Sequence, residues 1–195
     1  MINLVISSNN QGKIKEINLL FPTLKLLSLK DIGFFDEIEE PYETFHENAN
    51  IKSKVIYDFC AKNVFSDDSG LCVEALNNEP GVHSAYWAGV PRSDEKNNKK
   101  LLESLNGINN RKAYYISVIC LIWNGQTHFF EGKCHGKIAT EPSGLGGFGY
   151  DSIFIPNEFD QTFASLPLSI KNKISHRGKA LGKMIEFLKQ EGVIL

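Results

Sequence analysis

The chain has 195 residues, of which 42% are apolar and 23% are charged. This composition is sufficient for a folded core and excludes a disordered chain, which combines low hydrophobicity with high net charge. A formal net charge of −2 excludes a protein that holds nucleic acid by a strongly basic domain, and the length fits one domain or one bilobed unit.

The sequence shows no membrane-spanning or secretory segment. Its longest apolar stretch, 113–123, has about half the ~20 residues that span a bilayer, so it predicts a buried strand. The N-terminal run 1–6 lacks the basic and apolar regions of a signal peptide. The four cysteines form no CxxC pair, which favours free thiols. We therefore expect a cytoplasmic protein that binds neither a membrane nor nucleic acid.

Strands and helices are predicted to alternate along the chain. The strands are short apolar runs between polar or glycine-containing segments, at 2–6, 24–29, 64–65, 71–76, 112–123, 126–138 and 150–155. The helices have apolar residues at helical spacing, and they begin after the loop 8–13 (ending near Pro22), at the capping box Thr44-x-x-Glu47, at Ser93 and after Ser175. Asn124-Gly125 predicts a hairpin, so the fold class is α/β with a mixed sheet.

The second predicted helix contains a lysine within its apolar face. That face consists of Phe45, Ala49, Ile56 and Phe59, and Lys52 shares it. A lysine in such a position either extends its ammonium group to the edge of the face or points into a polar cleft. The spacing alone favours neither interpretation.

The polar segment 8–13 has the features of a phosphate site. A loop between a strand and a helix, with Gly12-Lys13 at the helix start, offers free backbone N–H groups, the positive end of the helix dipole and an ammonium group. Ile14 follows Lys13 where a Walker A loop has Ser or Thr, so it is not a Walker A loop. An ordinary polar connection is the alternative.

Two pairs of adjacent acids are candidate metal ligands or bases. Asp67 and Asp68 follow a short apolar strand, and neighbouring side chains of an extended segment point in opposite directions. One carboxylate is then available for a metal or a proton while the other supports the loop. An acidic turn is the alternative for this pair, and a solvated loop is the alternative for Glu39-Glu40.

The glycine-rich segment 144–149 formally matches the dinucleotide fingerprint, but it precedes a predicted strand rather than a helix, so its context rejects that function. The glycines around Phe148 favour a close backbone approach to a flat ligand, with a mobile surface turn as the alternative.

Near the last helix, His176 and Arg177 place basic charge where it opposes the helix dipole. This placement favours an anionic or polar ligand there; a capping or core histidine is the alternative.

Six motifs in the same order resemble the inosine triphosphate pyrophosphatase family, the XTP/dITP diphosphatases. They cover nearly the whole chain and are Ser8-x-Asn10-x-x-Lys13 with Glu16, Thr44-Phe45-x-Glu47-Asn48-Ala49-x-x-Lys52, Asp67-Asp68-Ser69-Gly70-Leu71, Gly81-x-x-Ser84-Ala85, Gly146-Gly147-Phe148-Gly149-Tyr150-Asp151 and Ser175-His176-Arg177-Gly178-x-Ala180-Leu181.

The resemblance implies an elongated mixed β-sheet flanked by helices, with two lobes and a central cleft in a single bilobed domain over 1–195. It implies a homodimer that hydrolyses ITP, dITP and XTP to the nucleoside monophosphate and pyrophosphate with Mg²⁺. Asp68 is then the catalytic acid–base and a metal ligand. Glu40 is the second metal ligand, with Glu39 as its alternative, and a role of Asp67 at the metal is left open.

The resemblance also implies a set of substrate-binding residues. They are Ser8, Asn9, Asn10, Gln11, Gly12, Lys13, Lys52, Ser69, Phe148, Gly149, Tyr150, Asp151, Lys171, His176 and Arg177. The first six form the triphosphate loop, Lys52 faces phosphate, and His176 and Arg177 lie near the 6-oxo group of the purine. A metal-dependent phosphatase that releases orthophosphate and a nucleotide sensor without turnover are the two competing hypotheses.

Overall fold

The computed structural model describes residues 3–20 and 25–193, and its strands form a six-stranded sheet in the order β2-β1-β3-β4-β5-β6. The strands are β1 (Asn3–Ser7), β2 (Lys25–Leu27), β3 (Val64–Val73), β4 (Lys112–Trp123), β5 (Gln126–Ile138) and β6 (Phe154–Pro156). The α-helices are α1 (Gln11–Leu20), α2 (Phe45–Cys60), α3 (Asp94–Ser104), α4 (Leu168–Ile174) and α5 (His176–Gln190).

The sheet is mixed, as the sequence predicts. β1 pairs in parallel with β2 and β3, whereas β5 pairs antiparallel with β6. The turn between β4 and β5 has φ values of 49° at Asn124 and 80° at Gly125. Positive φ at both central residues is what a two-residue type I′ turn requires, so the predicted hairpin and its strand bounds are confirmed.

The chain divides into two units. The first unit comprises Asp68 and the described residues before it, Ser117–Gly132, and the described residues from Arg177 onward; the second unit comprises Ser69–Ile116 and Lys133–His176. β3, β4 and β5 each contribute residues to both units. The single bilobed domain and its central cleft stay predictions.

Each unit has its own apolar core. In the first unit, the larger cluster joins buried residues of β1, α1, β3, β4 and α5, among them Leu4, Ile17, Phe65, Ile119 and Met184. In the second unit, buried residues of β3, α3, β4 and β6 form a cluster that includes Leu71, Leu101, Tyr115, Phe154 and Phe163. Burial of an apolar side chain of this size contributes about 1.5–3 kcal/mol to folding. Each unit therefore has an apolar core that contributes substantially to its stability.

The alternative interpretation of Asp67-Asp68-Ser69-Gly70 as an acidic turn is wrong, because β3 runs without interruption through these residues. The strand persists because side chains from distant segments pair with both carboxylates, as described below. β3 ends at Val73, where a short 3-10 helix over Glu74–Leu76 replaces the rest of the predicted strand 71–76.

Three further details differ from the sequence predictions. Phe59, expected on the apolar face of α2, is 53% exposed, since it lies in the last turn of the helix. The strand predicted over 150–155 is confined to Phe154–Pro156, and α4 was not predicted. The expectations for Phe21, Pro22 and Leu24 lie outside the described residues.

No α-helix among the described residues has the length and apolar character needed to cross a membrane. All four cysteines are free thiols, as predicted.

Candidate active site

The loop before α1 is organised by two side chains that bind its own backbone. Ser8 Oγ accepts a hydrogen bond from Asn10 N at 3.2 Å, and Asn10 Oδ1 accepts one from Lys13 N at 3.1 Å. Asn10 therefore acts as the N-cap of α1, whose first backbone N–H groups have no partners within the helix. Asn9 and Gln11 are exposed, and Gly12 is half-buried. The predicted strand, polar loop and helix are thus confirmed, and the loop has the form of an anion site.

Helix α2 is fixed to the sheet by buried serine hydroxyl groups. Ser7 Oγ donates to Lys52 O at 2.9 Å, and Ser66 Oγ donates to Ala49 O at 2.6 Å. Ser53 of α2 donates in turn to Cys120 O at 2.8 Å. Because these bonds lie on the inner face of the helix, they hold the buried Lys52 against β3.

Lys13 and Lys52 meet at one backbone oxygen. Lys13 Nζ donates to Asp67 O at 3.0 Å, and Lys52 Nζ donates to the same oxygen at 3.2 Å. The ammonium group of Lys52 also lies 2.6 Å from Glu40 Oε2 and 3.0 Å from Asp68 Oδ1. Lys52 therefore points into a polar cluster rather than to the edge of its apolar face.

The two lysines differ in their electrostatic environment. Burial lowers the pKa of Lys13, partly offset by Asp67, and the positive charge of Lys52 lowers it further. Burial would also lower the pKa of Lys52, but Asp68 and Glu40 outweigh it and raise that pKa above its usual value. An anion placed beside Lys13 would stabilise its charged form, because opposite charges favour ionisation.

Asp67 is the most enclosed acid of the cluster, with its side chain 1% exposed. Ser117 Oγ donates to its Oδ1 at 2.5 Å, while Lys13 Nζ and Arg177 Nε lie 3.1 and 3.0 Å from its Oδ2. Burial would raise the pKa of Asp67, but Arg177 and Lys13 hold it well below its usual range. Both oxygens of Asp67 are therefore engaged by protein groups.

Asp68 has different partners from Asp67, as the alternation of side chains along a strand predicts. Its Oδ1 faces Lys52, whereas its Oδ2 is buried and has no hydrogen-bond partner among the described residues. Burial, with a smaller contribution from Glu40 and against the opposing effects of Lys52 and Lys13, raises the pKa of Asp68 to about 6. A buried carboxylate oxygen without a partner is costly unless a ligand or water completes it.

The donor chemistry of Glu40 and Asp68 fits a hard divalent cation. Both carboxylates contact Lys52 Nζ, so they converge on one point of the cluster, and Glu40 is the more exposed of the two. The described residues contain no group of three or more His, Cys, Asp or Glu side chains able to hold a metal by themselves. Mg²⁺ usually binds through one or two carboxylates together with substrate phosphates, so two carboxylates are sufficient. Glu39 is exposed and makes no contact with this cluster in the described part of the chain.

Arg177 lies in the first turn of α5 with its side chain 3% exposed. Its Nη1 is 2.5 Å from Glu16 Oε2, and its Nε is 3.0 Å from Asp67 Oδ2. Burial would lower the pKa of Arg177, but Asp67 and Glu16 raise it above its usual value. These two carboxylates offset the unfavourable position of a cation at a helix N-terminus.

The second unit contains a buried ion pair beside the glycine-rich loop. Lys171 Nζ lies 2.5 Å from Asp151 Oδ2, and both side chains are buried. Asp151 Oδ2 also accepts a hydrogen bond from Phe148 N at 2.8 Å, and Lys171 Nζ lies 5.0 Å from the centre of the Phe148 ring. A Cβ atom at Gly147 would overlap the Asp151 carboxylate, so this position requires glycine.

Two other predicted substrate residues of the second unit are buried. His176 stacks on Tyr115 with ring centres 4.5 Å apart and planes 7° apart. Tyr150 donates its hydroxyl group to Ser84 O at 2.9 Å, and burial raises the pKa of this hydroxyl group above its usual value. Ser69, which follows Asp68 in β3, is half-buried.

The structure adds residues that the sequence did not assign to the site. Glu16 pairs with Arg177, and Ser117 binds Asp67. In the second unit, Asp94 and Asn98 bind the backbone of Gly149. Glu16 belongs to the first motif of the resemblance, one turn after Lys13, although no role was predicted for it; the other three have no local signal.

Comparisons with known proteins agree with the resemblance seen in the sequence. A sequence model of the Ham1 family matches residues 4–187. A dITP/XTP pyrophosphatase of Flavobacterium johnsoniae is 44% identical over 188 residues, covering 96% of this chain and 98% of the relative. A dITP/XTP pyrophosphatase of Nitrosomonas europaea is 43% identical over 199 residues, covering 100% of this chain and 98% of the relative.

Solved structures show the same fold. The Ham1 protein of Staphylococcus aureus superposes with a TM-score of 0.88 at 42% identity, covering 97% of this chain and 99% of that protein. A HAM1 protein of Coxiella burnetii superposes with a TM-score of 0.90 at 36% identity, covering 97% of this chain and 100% of that protein.

Proposed function

Because the chain belongs to the Ham1 family, we propose that it hydrolyses non-standard purine nucleoside triphosphates, namely ITP, dITP and XTP, to the nucleoside monophosphate and pyrophosphate. The observation that carries the proposal is the arrangement around β3, where the buried Asp68 carboxylate lies beside the converging ammonium groups of Lys13 and Lys52. A base next to cations is what water attack on a phosphorus centre needs.

In the proposed reaction, water attacks the α-phosphorus, and the bond between this phosphorus and the bridging oxygen of the leaving pyrophosphate breaks. Asp68 orients the water and accepts its proton. Lys13 and Lys52 stabilise the negative charge that develops on the phosphate oxygens.

We propose Mg²⁺ as the cofactor, held by Glu40 and Asp68. Three cations and four carboxylates surround this part of β3 in the described residues, namely Lys13, Lys52, Arg177, Glu16, Glu40, Asp67 and Asp68. The cluster therefore does not itself supply the positive charge that a triphosphate requires. When bound, Mg²⁺ would neutralise phosphate charge and polarise the reacting phosphoryl group.

The resemblance implies that Phe148, His176 and Arg177 select the base. An aromatic ring can stack on any purine, whereas hydrogen-bond donors that face position 6 of the purine discriminate between bases. A 6-oxo group accepts hydrogen bonds and the 6-amino group of ATP donates them, so ATP would leave buried donors unpaired. The remaining predicted residues, Lys171, Asp151 and Tyr150, support this region through the contacts described above.

The test is product analysis with ITP, XTP, dGTP and ATP, with and without Mg²⁺. We expect pyrophosphate from ITP and XTP in the presence of Mg²⁺ and little from ATP, whereas dGTP, which also has a 6-oxo group, tests whether the 2-amino group is rejected. Orthophosphate as the first product would instead identify a phosphatase, and binding of ITP without turnover would identify a sensor. Equal turnover of ATP would contradict base selection, and undiminished turnover without a divalent cation would contradict the cofactor.

We also propose that the enzyme is a cytoplasmic homodimer. The homodimer rests on the resemblance, and the cytoplasmic location rests on the four free thiols, which are typical of a reducing compartment. Light scattering of the purified protein checks the mass of the dimer, and fractionation of cells that produce the protein checks its location.

A further inference from the structure

The first turns of α3 bind the glycine-rich loop on both sides of one residue. Gly149 N donates to Asp94 Oδ2 at 2.6 Å, and Asn98 Nδ2 donates to Gly149 O at 3.1 Å. The two side chains are one helical turn apart on the same face of α3. They therefore fix both peptide groups that flank Gly149.

Asp94 is itself held in place. Arg92 donates to its Oδ1 from Nε at 3.2 Å and from Nη2 at 3.1 Å, which leaves Oδ2 to accept from Gly149. Ser93 caps the helix by accepting a hydrogen bond from Lys96 N at 3.2 Å. The two bonds from Arg92 thus fix the orientation of the Asp94 carboxylate.

The anchored residue is adjacent to the proposed base-stacking ring. Phe148 N is bound by Asp151, whose carboxylate pairs with Lys171, so the backbone on the other side of the ring is fixed as well. Gly149 has φ of 62°, and a Cβ at this position would meet open space. Gly149 therefore holds this loop through its backbone hydrogen bonds to Asp94 and Asn98.

We infer that Asp94 and Asn98 are positioning residues for base recognition, because they hold the Phe148-Gly149 backbone in the conformation that presents the Phe148 ring. The inference rests on the proposed function, in which Phe148 stacks on the purine. A preorganised ring loses less entropy when the base binds. Loosening the loop should therefore weaken binding of the base and leave binding of the triphosphate moiety unchanged.

The main test compares Asp94→Ala with Glu95→Ala. Both variants remove a carboxylate from the first turn of α3, so their effects on the helix dipole are matched. Glu95 is exposed and makes no contact with the loop in the described part of the chain. We expect KM for ITP to rise about tenfold in Asp94→Ala, with kcat within about twofold, because a hydrogen bond to a charged group is lost. Glu95→Ala should keep the KM of the wild type.

A base-free ligand separates positioning from other effects. Inorganic tripolyphosphate should inhibit wild type and Asp94→Ala with the same inhibition constant, since it carries no base to stack on the ring. Asp94→Asn retains an acceptor oxygen and should restore most of the affinity for ITP. Ser93→Ala weakens the same helix without touching the loop, so it should lower the melting temperature and leave KM unchanged.

A second variant tests the other contact. Asn98→Ala should raise KM for ITP about threefold, because a neutral hydrogen bond contributes less than a charged one. Lys99→Ala, at the next position of α3, serves as its control.

An unchanged KM for ITP in both Asp94→Ala and Asn98→Ala would overturn the inference, as would an equal weakening of tripolyphosphate. If Ser93→Ala raises KM as much as Asp94→Ala, the effect is one of helix stability and the inference also fails. Failure of the proposed function is separate, since it would appear as absence of pyrophosphate release by the wild type.

Discussion

The two units differ in the chemistry that their buried polar groups can perform. In the first unit, three cations and four carboxylates of the described residues gather around one strand, and one carboxylate oxygen, Asp68 Oδ2, is left without a protein partner. In the second unit, the buried pair Asp151–Lys171 lies among rings and glycines. The difference supports the proposal that the first unit holds the reaction chemistry and that the second unit contributes Phe148 and His176 to recognition of the base.

The largest effect is expected for Asp68→Asn. Removing the general base should lower kcat, measured at saturating Mg²⁺, by about 10²–10⁴-fold and leave binding of ITP in the absence of Mg²⁺ nearly unchanged. Pyrophosphate release and calorimetric binding measure the two quantities. Asp58→Asn, which breaks an exposed ion pair of α2, is the matched control and should be fully active. If Asp68→Asn turns over ITP at the rate of the wild type, the assignment of the reaction chemistry to the first unit is wrong.

Arg177→Met should be the most destabilising of three variants that each break an ion pair. It leaves the carboxylates of Glu16 and Asp67 buried with one partner fewer, at a cost of about 5 kcal/mol. Lys171→Met removes the cation partner of Asp151, which keeps its hydrogen bond to Phe148 N, so about 3 kcal/mol is expected.

Urea unfolding in the absence of nucleotide measures these losses. Lys54→Met, which breaks an exposed pair of α2, should change the free energy of unfolding by less than about 1 kcal/mol. If Lys171→Met loses more free energy of unfolding than Arg177→Met, the expected order of the two units is wrong.

Glu40→Gln and Glu39→Gln decide which of two neighbouring acids serves the metal. The carboxylate of Glu40 contacts Lys52 beside Asp68, whereas Glu39 is exposed and outside this cluster. We expect the Mg²⁺ concentration for half-maximal rate to rise about tenfold in Glu40→Gln, and not at all in Glu39→Gln. Titration of activity with Mg²⁺ checks this. The opposite ranking would assign the metal to Glu39.

The smallest effects are expected at the two helix caps, one in each unit. Thr44 Oγ1 accepts from Glu47 N in α2, and Ser93 Oγ accepts from Lys96 N in α3. Thr44→Ala and Ser93→Ala should each lower the free energy of unfolding by about 1 kcal/mol. Thermal unfolding measures both losses. A value near zero for either variant would show that its helix start is held by tertiary contacts instead.

Local patterns predicted the elements whose signals lie within a few residues. The Asn124-Gly125 turn, the strands on either side of it and the cap at Thr44 are found where the sequence placed them, because turn geometry and capping depend on adjacent residues. The polar loop before α1 was predicted for the same reason.

The continuity of β3 could not be predicted in this way. Charged residues lower the hydropathy of a segment, so the hydropathy pattern does not predict a buried strand there. Only partners far along the chain make the burial of these charges favourable. Ser117 and Arg177 lie 50 and 110 residues from Asp67. The anchoring of Gly149 by Asp94 joins residues 55 positions apart, and Asp94 by itself has the sequence pattern of an ordinary helix start. The resemblance supplied the residues of the site but not these supporting contacts.

The uninterrupted course of β3 also restricts how the chain can change in length. Asp67 and Asp68 have different partners only because the strand places them in alternating directions, so inserting one residue between Val64 and Asp67 would move Asp67 to the position of Asp68. Asp67 would then face Lys52, and Lys13 and Arg177 would lose the carboxylate that pairs with them. We therefore expect single-residue insertions to inactivate the enzyme within this segment and to be tolerated at the exposed turn Asn124-Gly125.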